Sequence, residues 1–305
     1  LLACIRRFFA EANVLEVETP VLSGAAALDP SLQSLQTAWA GGGESGQRLW
    51  LHTSPEFPMK RLLAAGSGPI YQICKVFRDG ERGRFHHPEF SLLEWYRPGW
   101  DYRRLMCEVA DLVRAVLEKP DLPAETIAYR DLFRARLGLD PWNADLGALR
   151  RSAVESGVAR AAELDLNRDG WLDLLLSHCL EASLGRGRLT FLCDYPPTQA
   201  ALARLRGDGE QVAERFELYF EGMELANGFQ ELTDPDEQRR RFRQDQISRE
   251  ATGLERPPMD EQLLRALTHG MPEASGVAMG LDRLLMVVTG RHHIDQVLAF
   301  PIERA

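Results

Sequence analysis

"FELYFEGMELANGFQEL" (216–232) carries glutamates at Glu217, Glu224 and Glu231, each seven residues from the next. In a helix that interval would stack the acids on one face; on a straight strand it puts them on opposite faces. The stretch is apolar and strand-like, and Glu221-Gly222 reads as a two-residue hairpin loop. Phe220 then pairs with Met223, Tyr219 with Glu224 and Glu217 with Ala226. That makes Glu217 and Glu224 diagonal neighbours on one face, within reach of a shared cation. Asn227-Gly228 interrupts the second strand, where a glycine marks a bulge. One extra residue there returns Glu231 to the face of Glu224. The competing reading is three solvated acids on an exposed sheet, so the acidic patch needs support from cations elsewhere. Hard oxygen ligands of this kind suit Mg²⁺ held jointly with a substrate phosphate.

Outward from this hairpin, the chain opens on a helical pattern, turns extended at Val14 to Glu18 and is stopped by Pro20. "AGGGESGQ" (40–47) reads as a flexible loop. "RLWLHTSPE" and "PIYQICKVFRD" read as strands around a helix, "PMKRLLAAG", that ends at Gly66. "FSLLEWYRP" is a further strand. From about 101 to 187 the pattern is helical and amphipathic, and strands return at "RLTFLCDYPP" and the opening hairpin. Helices are expected in "DPDEQRRRFRQDQISREATG" and "MDEQLLRALTHG" before the closing "GVAMGLDRLLMVVTG". The order predicts an α+β fold with a mainly antiparallel sheet, a single domain over 1–305 with a helical insertion at about 101–187.

The chain, 305 residues long, is big enough to bury a large core, and its 45% hydrophobic and 27% charged content is that of a soluble globular protein. No apolar run is long enough to span a bilayer and no signal-peptide pattern opens the chain, so no membrane partner is expected. It begins on Leu1 rather than Met, so a few natural N-terminal residues are expected to be missing. Five scattered cysteines without a Cys-x-x-Cys pair favour reduced thiols in a cytoplasm. The net charge of −9 disfavours general binding of nucleic-acid backbones.

The cations lie in two blocks. "CKVFRDGERGRFHHPEFSLLEWYRP" places Arg78 at a strand end, where its guanidinium suits bidentate grip of a carboxylate or phosphate. Arg84 and His86 follow in a Gly- and Arg-rich loop, and Phe90 offers a ring face to a purine. The plainer reading is a surface hairpin with routine charges and a core Phe90. "GMPEASGVAMGLDRLLMVV" puts Arg283 at the start of a helix, after Gly276 and Gly280, which permit close approach to the backbone. Neither the P-loop nor the dinucleotide-binding glycine pattern is present.

Together these blocks resemble the catalytic domain of class II aminoacyl-tRNA synthetases. "IRRFFAEANVLEVETPVL" is similar to its first motif, "VFRDGERGRFHHPEFSLLEWY" to its second and "GVAMGLDRLLM" to its third. "TSPEFPMKRLL" and "ELANGFQEL" resemble the lysine-specific branch. The first motif begins near residue 5, so no anticodon-binding OB domain is expected. Ala278 interrupts the run of small residues in "GVAMG", and its methyl intrudes on the amino-acid pocket by roughly 1–3 kcal/mol against the normal α-amino geometry. Both features resemble a free-standing paralogue group that attaches (R)-β-lysine to a lysine of elongation factor P.

The resemblance implies an antiparallel sheet flanked by helices, a homodimer through the first motif with Pro20 near the interface, and use of ATP and Mg²⁺. It implies that Arg78 holds the amino-acid carboxylate and α-phosphate, and that Arg283 clamps the far phosphates. Asp79, Gly80, Arg84, His86, His87, Phe90, Leu225 and Gly280 join them around ATP, with Phe90 stacked on adenine. Glu217 and Glu224 anchor Mg²⁺, and Glu224 also meets ATP. Glu231 and Tyr96 receive the side-chain ammonium of lysine or β-lysine. Glu56 and Glu94 face the other amino group, beside Ser54, Pro55 and Ala278, while Asn227 orients the carboxylate. The expectation is that Glu217, Glu224, Arg78 and Arg283 serve one triphosphate. The chain departs from the family at Asp79-Gly80, where Asn-Glu is usual, and at His87, where Asn is usual; Glu81 is the candidate to replace the missing adenine contact. Two rival readings are a trimmed lysyl-tRNA synthetase charging tRNA, disfavoured by the acidic charge, and an inactive regulatory subunit, disfavoured by the retained acids and arginines.

Overall fold

The computed structural model describes residues 1–42, 46–207 and 210–305; the middle of the 40–47 loop expected from the sequence lies outside the described residues. The N-terminal part carries α1 (Leu2–Glu11), β1 (Leu15–Glu16), β2 (Leu22–Ser23), β3 (Gln36–Trp39), β4 (Gln47–Leu51), α2 (Glu56–Ala64), β5 (Ile70–Phe77) and β6 (Glu89–Pro98). Next come α3 (Tyr102–Leu117), β7 (Ala124–Ala128), α4 (Tyr129–Leu137), α5 (Leu146–Glu155), α6 (Arg168–Leu175), β8 (Leu189–Tyr195), β9 (Leu205–Arg206), β10 (Val212–Phe220) and β11 (Met223–Gln230). Then follow α7 (Pro235–Ala251), α8 (Glu261–Gly270), β12 (Ala274–Gly280) and α9 (Leu281–Thr289). Two compact units result, 1–100 with 232–305, and 101–231. Among the described residues no helix is long and apolar enough to cross a membrane.

In the unit formed by 1–100 and 232–305, β1 lies parallel to β5, while β5–β6 and β6–β12 are antiparallel. A small antiparallel sheet has the order β2-β4-β3. Strand alternation divides β6 between two environments. Trp95 turns toward α1, where Phe9 stacks on Tyr71 at 4.4 Å and meets Trp95 edge-on at 5.4 Å. Phe90, Leu92, Glu94 and Tyr96 therefore share the opposite face. The start of α9 is tied to the same strand, because buried Asp282 accepts the Ser91 N–H at 2.6 Å.

In the 101–231 unit, Asp101 caps α3 by accepting the Arg104 N–H at 2.7 Å. The helices α4, α5 and α6 fall where the amphipathic pattern puts them, around a core that includes Phe133, Trp171 and Tyr219. The 101–187 block is not wholly helical, however. "AETIA" forms β7, parallel to β8 with Ile127 opposite Leu192. Five residues between helices carry too short a pattern to be read locally, and a parallel partner sixty-odd residues away creates the strand. After α6 the helix widens into a π turn over Leu176–Leu180.

The hairpin of β10 and β11 forms as expected at its tip. Glu221 and Gly222 have φ of +50° and +74°, the left-handed pair that matches strand twist, and Phe220–Met223 and Tyr219–Glu224 are partners. The bulge lies elsewhere than at Asn227-Gly228. The register shifts between Tyr219 and Leu218, so Leu225 is the extra residue and Glu217 faces Asn227, not Ala226. Gly228 instead pairs regularly with fully buried Phe216. Moving the bulge preserves its consequence: Glu217, Glu224, Asn227 and Glu231 all fall on one face.

The turn is held by the loop at 184–187. Glu221 and Gly222 donate their N–H groups to Gly185 and Leu184 carbonyls at 2.9 Å, and Gly187 N–H donates to Glu221 Oε1 at 2.9 Å. Gly185 has φ +70°, and a Cβ there would lie 2.6 Å from Phe220 Cα and the Tyr219 carbonyl. Gly187 has φ +67° with nothing within 4 Å of its Cβ position. Gly185→Ala should therefore cost on the order of 3 kcal/mol, and Gly187→Ala only about 1–2 kcal/mol. Denaturant unfolding of both variants checks this; equal losses would mean the turn does not depend on the close approach.

Candidate active site

The loop between β5 and β6 gathers the cations that the sequence singled out. Arg78 leaves β5 with its N–H on Pro88 O at 2.9 Å and its Nε donating to Thr53 O at 3.3 Å. Its guanidinium lies 5.1 Å from the centroid of Phe90 and 3.6 Å from Glu81. Arg283, in the first turn of α9, donates from Nε to Phe85 O at 3.2 Å and from Nη2 to His86 Nε2 at 2.8 Å. An arginine only donates, so His86 accepts through Nε2 and is neutral there. Burial, then the Arg283 charge, with a further contribution from Arg78, lowers the His86 pKa, against an opposing effect of Glu81. Both arginines, Glu81, His86 and Phe90 thus belong to one neighbourhood.

The rest of the loop is tied to the C-terminal segment. Arg84 donates to His292 O at 2.9 Å and lies over its own neighbour Phe85, while Ile294 N–H donates to Arg84 O at 2.9 Å. Arg82 bridges Asp295 at 2.8 Å and Glu303 at 2.7 Å. His87 is buried, and its Nε2 accepts the Ile302 N–H at 2.9 Å, which puts the ring proton on Nδ1 beside Glu89 O. Its polar atoms are thereby engaged with backbone. Asp79 N–H donates to Gln33 O at 2.8 Å. Gly80 has φ +76°, a conformation that would cost a glutamate roughly 1–2 kcal/mol.

Beside this cluster runs a strip of small and polar residues. Gly276, Ala278 and Gly280 of β12 face Tyr96, Glu94 and Leu92 of β6. Glu94 is only 2% exposed. Ser54 donates to its Oε2 at 2.6 Å and Tyr96 to its Oε1 at 2.6 Å. Ser54 also accepts the Glu56 N–H at 3.0 Å across Pro55, which occupies the N-cap of α2. Glu56 pairs with buried Lys60 one turn along that helix. Cross-strand placement puts the Ala278 methyl directly against Glu94, where only a glycine would intrude less.

The 101–231 unit holds the acids. Asp173, Ser177, Glu181, Glu217 and Glu224 line a cavity of about 360 Å³. Glu217 is fixed from both sides, by Arg215 on Oε1 and by the Tyr219 hydroxyl at 2.6 Å on Oε2. Burial and the Glu217 charge raise the Tyr219 pKa well above its ordinary value, so that hydroxyl stays a donor. The face also carries Asn227 and Glu231, the latter buried and bridged to Ala203; Leu225, the bulged residue, is buried. Among the described residues no three acids are grouped tightly enough to hold a metal unaided. The oxygen-only donor set nevertheless fits Mg²⁺ that draws its remaining ligands from phosphate and water. Arg215, Lys60, Asp282 and Arg82 escaped the sequence reading. Each is an ordinary charge in its local pattern, and only burial or a distant partner reveals it.

If an anion is taken up beside Arg78 and Arg283, its charge must raise the His86 pKa. In a histidine NMR titration, His86 should titrate below 6.5 in the free protein and move upward when inorganic triphosphate or ATP is added. A midpoint that ignores the anion would place the binding site elsewhere.

A family model described as tRNA synthetases class II (D, K and N) matches residues 1–304. Curated relatives align along the whole chain. A protein of Edwardsiella ictaluri named elongation factor P–(R)-β-lysine ligase is 49% identical over 100% of this chain and 94% of its own length. Proteins of the same name from Pectobacterium atrosepticum and Erwinia tasmaniensis are 48% and 50% identical, over 94% and 93% of their lengths. With the arginine-bearing loop, the small-residue strand before α9 and these matches in place, the chain belongs to the class II tRNA synthetase family of the Asp, Lys and Asn type.

Proposed function

We propose that this chain is an ATP-dependent ligase that adenylates (R)-β-lysine, or lysine, and transfers it to a lysine side chain of elongation factor P. The observation that carries the reading is the meeting of Arg78 and Arg283 at neutral His86 beside the Phe90 ring, next to the Glu94 strip. Two fixed cations suit a polyphosphate, the ring suits a purine, and buried carboxylates suit a diamino acid. The names of relatives about half identical over full length supply the acceptor. We place the enzyme in the cytoplasm as a homodimer that meets its partner protein there, with tRNA not an acceptor.

In the first step the substrate carboxylate oxygen bonds to the α-phosphorus of ATP and the bond to the β-phosphate oxygen breaks, releasing pyrophosphate. Arg78 orients the carboxylate and spreads the charge that grows on the α-phosphate; Arg283 holds the departing phosphates. Phe90 packs on adenine, and Arg84, Asp79, Gly80 and Gly280 border the nucleotide. Glu217 and Glu224 would hold Mg²⁺, which when bound supplies charge neutralisation at the phosphates. Glu94, Glu56, Tyr96, Glu231, Ser54 and Asn227 orient the amino acid. In the second step the neutral amine of the acceptor lysine attacks the activated carbonyl. An amide forms, AMP leaves, and the amine releases a proton.

Three outcomes test this. Incubation with ATP, labelled β-lysine or lysine, and either elongation factor P or tRNA should label the protein; label on tRNA alone overturns the reading. Arg78→Lys keeps the charge but loses the fork, and should lower amino-acid-dependent pyrophosphate exchange by about 100-fold or more. Ala278→Gly should raise kcat/KM for α-lysine relative to β-lysine by roughly 10–200-fold, as expected for removing one misfit methyl. An unchanged ratio would free Ala278 of any part in selectivity.

A further inference from the structure

Gln72 of β5 lies directly opposite Glu94 of β6, which lies opposite Ala278 of β12. Directly paired residues share a face, so the three side chains form one row across the sheet. Gln72 is 1% exposed, and neither its Oε1 nor its Nε2 has a hydrogen-bond partner within the protein. Glu94 beside it takes hydroxyl donors from Ser54 and Tyr96. Cys74, the next residue on that face of β5, offers only a weakly polar thiol. Burial and the Glu94 charge push that thiol up to about 12, against an opposing effect of the nearby Gln72 amide, whose one polar contact there is this weak sulfur group. Buried amides are nearly always satisfied, and one left without partners in a binding strip is a group awaiting a ligand.

We infer that Gln72 is a specificity-determining residue of the amino-acid pocket, its carboxamide oxygen accepting an N–H from the substrate ammonium that Glu94 neutralises. The inference rests on the reading that the chain activates lysine or β-lysine. An amide suits the position because it adds a directed acceptor without placing a second negative charge against Glu94. The row then confines the ammonium from two sides, with an acceptor at Gln72 and a methyl at Ala278. Moving the amino group by one carbon changes its distance to both, so the row discriminates between positional isomers of the same diamino acid.

Pyrophosphate exchange at varied amino acid and ATP, together with thermal unfolding, tests this on Gln72→Met. Gln72→Met should raise the KM for β-lysine about tenfold or more while the KM for ATP and kcat stay within about twofold. Its melting temperature should not fall, because the amide removed has no protein partner. An unchanged amino-acid KM in Gln72→Met overturns the inference. A lowered melting temperature with KM unmoved also overturns it, since that marks a structural glutamine. Parent enzyme that exchanges pyrophosphate with no lysine isomer would overturn the activation reading itself, so the two failures are distinct.

Discussion

A carboxylate as deeply buried as Glu94 must be held by donors, and much of the first unit is arranged to do so. Ser54 reaches it from the segment before α2, Tyr96 from its own strand, and β5 and β12 enclose it on either side. The burial is tolerable because each carboxylate oxygen has a charge-assisted hydrogen bond, stronger than a neutral one. The same arrangement dictates the neighbours: a large residue at Ala278 would drive into Glu94, and a second carboxylate at Gln72 would repel it.

The cationic cluster follows another logic. Arg78 and Arg283 are like charges drawn toward one site, a costly arrangement unless their donors are occupied. Carbonyl oxygens of Thr53 and Phe85, the His86 ring and Glu81 occupy them in part. The loop that carries these groups is fastened through Arg82, Arg84 and His87 to the last turns of the chain. In the second unit Glu217 shows the converse, an acid oriented by Arg215 and Tyr219 within its own strand.

Much of this was legible in the residues. The helices and most strands follow from periodicity, and the motif blocks with their spacing point to the family over nearly the whole chain. The hairpin tip at Glu221-Gly222 and its first two pairs were also readable. What escaped has a common cause. β7 exists because β8 lies beside it, and the bulge falls at Leu225 while Gly228 keeps regular register opposite Phe216, a placement that no local pattern encodes. By its internal packing the chain divides into two compact units, the second extending through the hairpin to Glu231.

Sequence alone determined the kinds of group available, because side-chain chemistry and local period are properties of the chain: guanidinium forks, hard carboxylates, an aromatic face and a methyl where glycine is usual. Only the tertiary structure decided which of them are buried, partnered or left wanting. Nothing in "PIYQICKVFRD" marks Gln72 as different from any strand glutamine. Its register against Glu94, set by hydrogen bonds between β5 and β6, and its burial in the packed sheet are what set it apart.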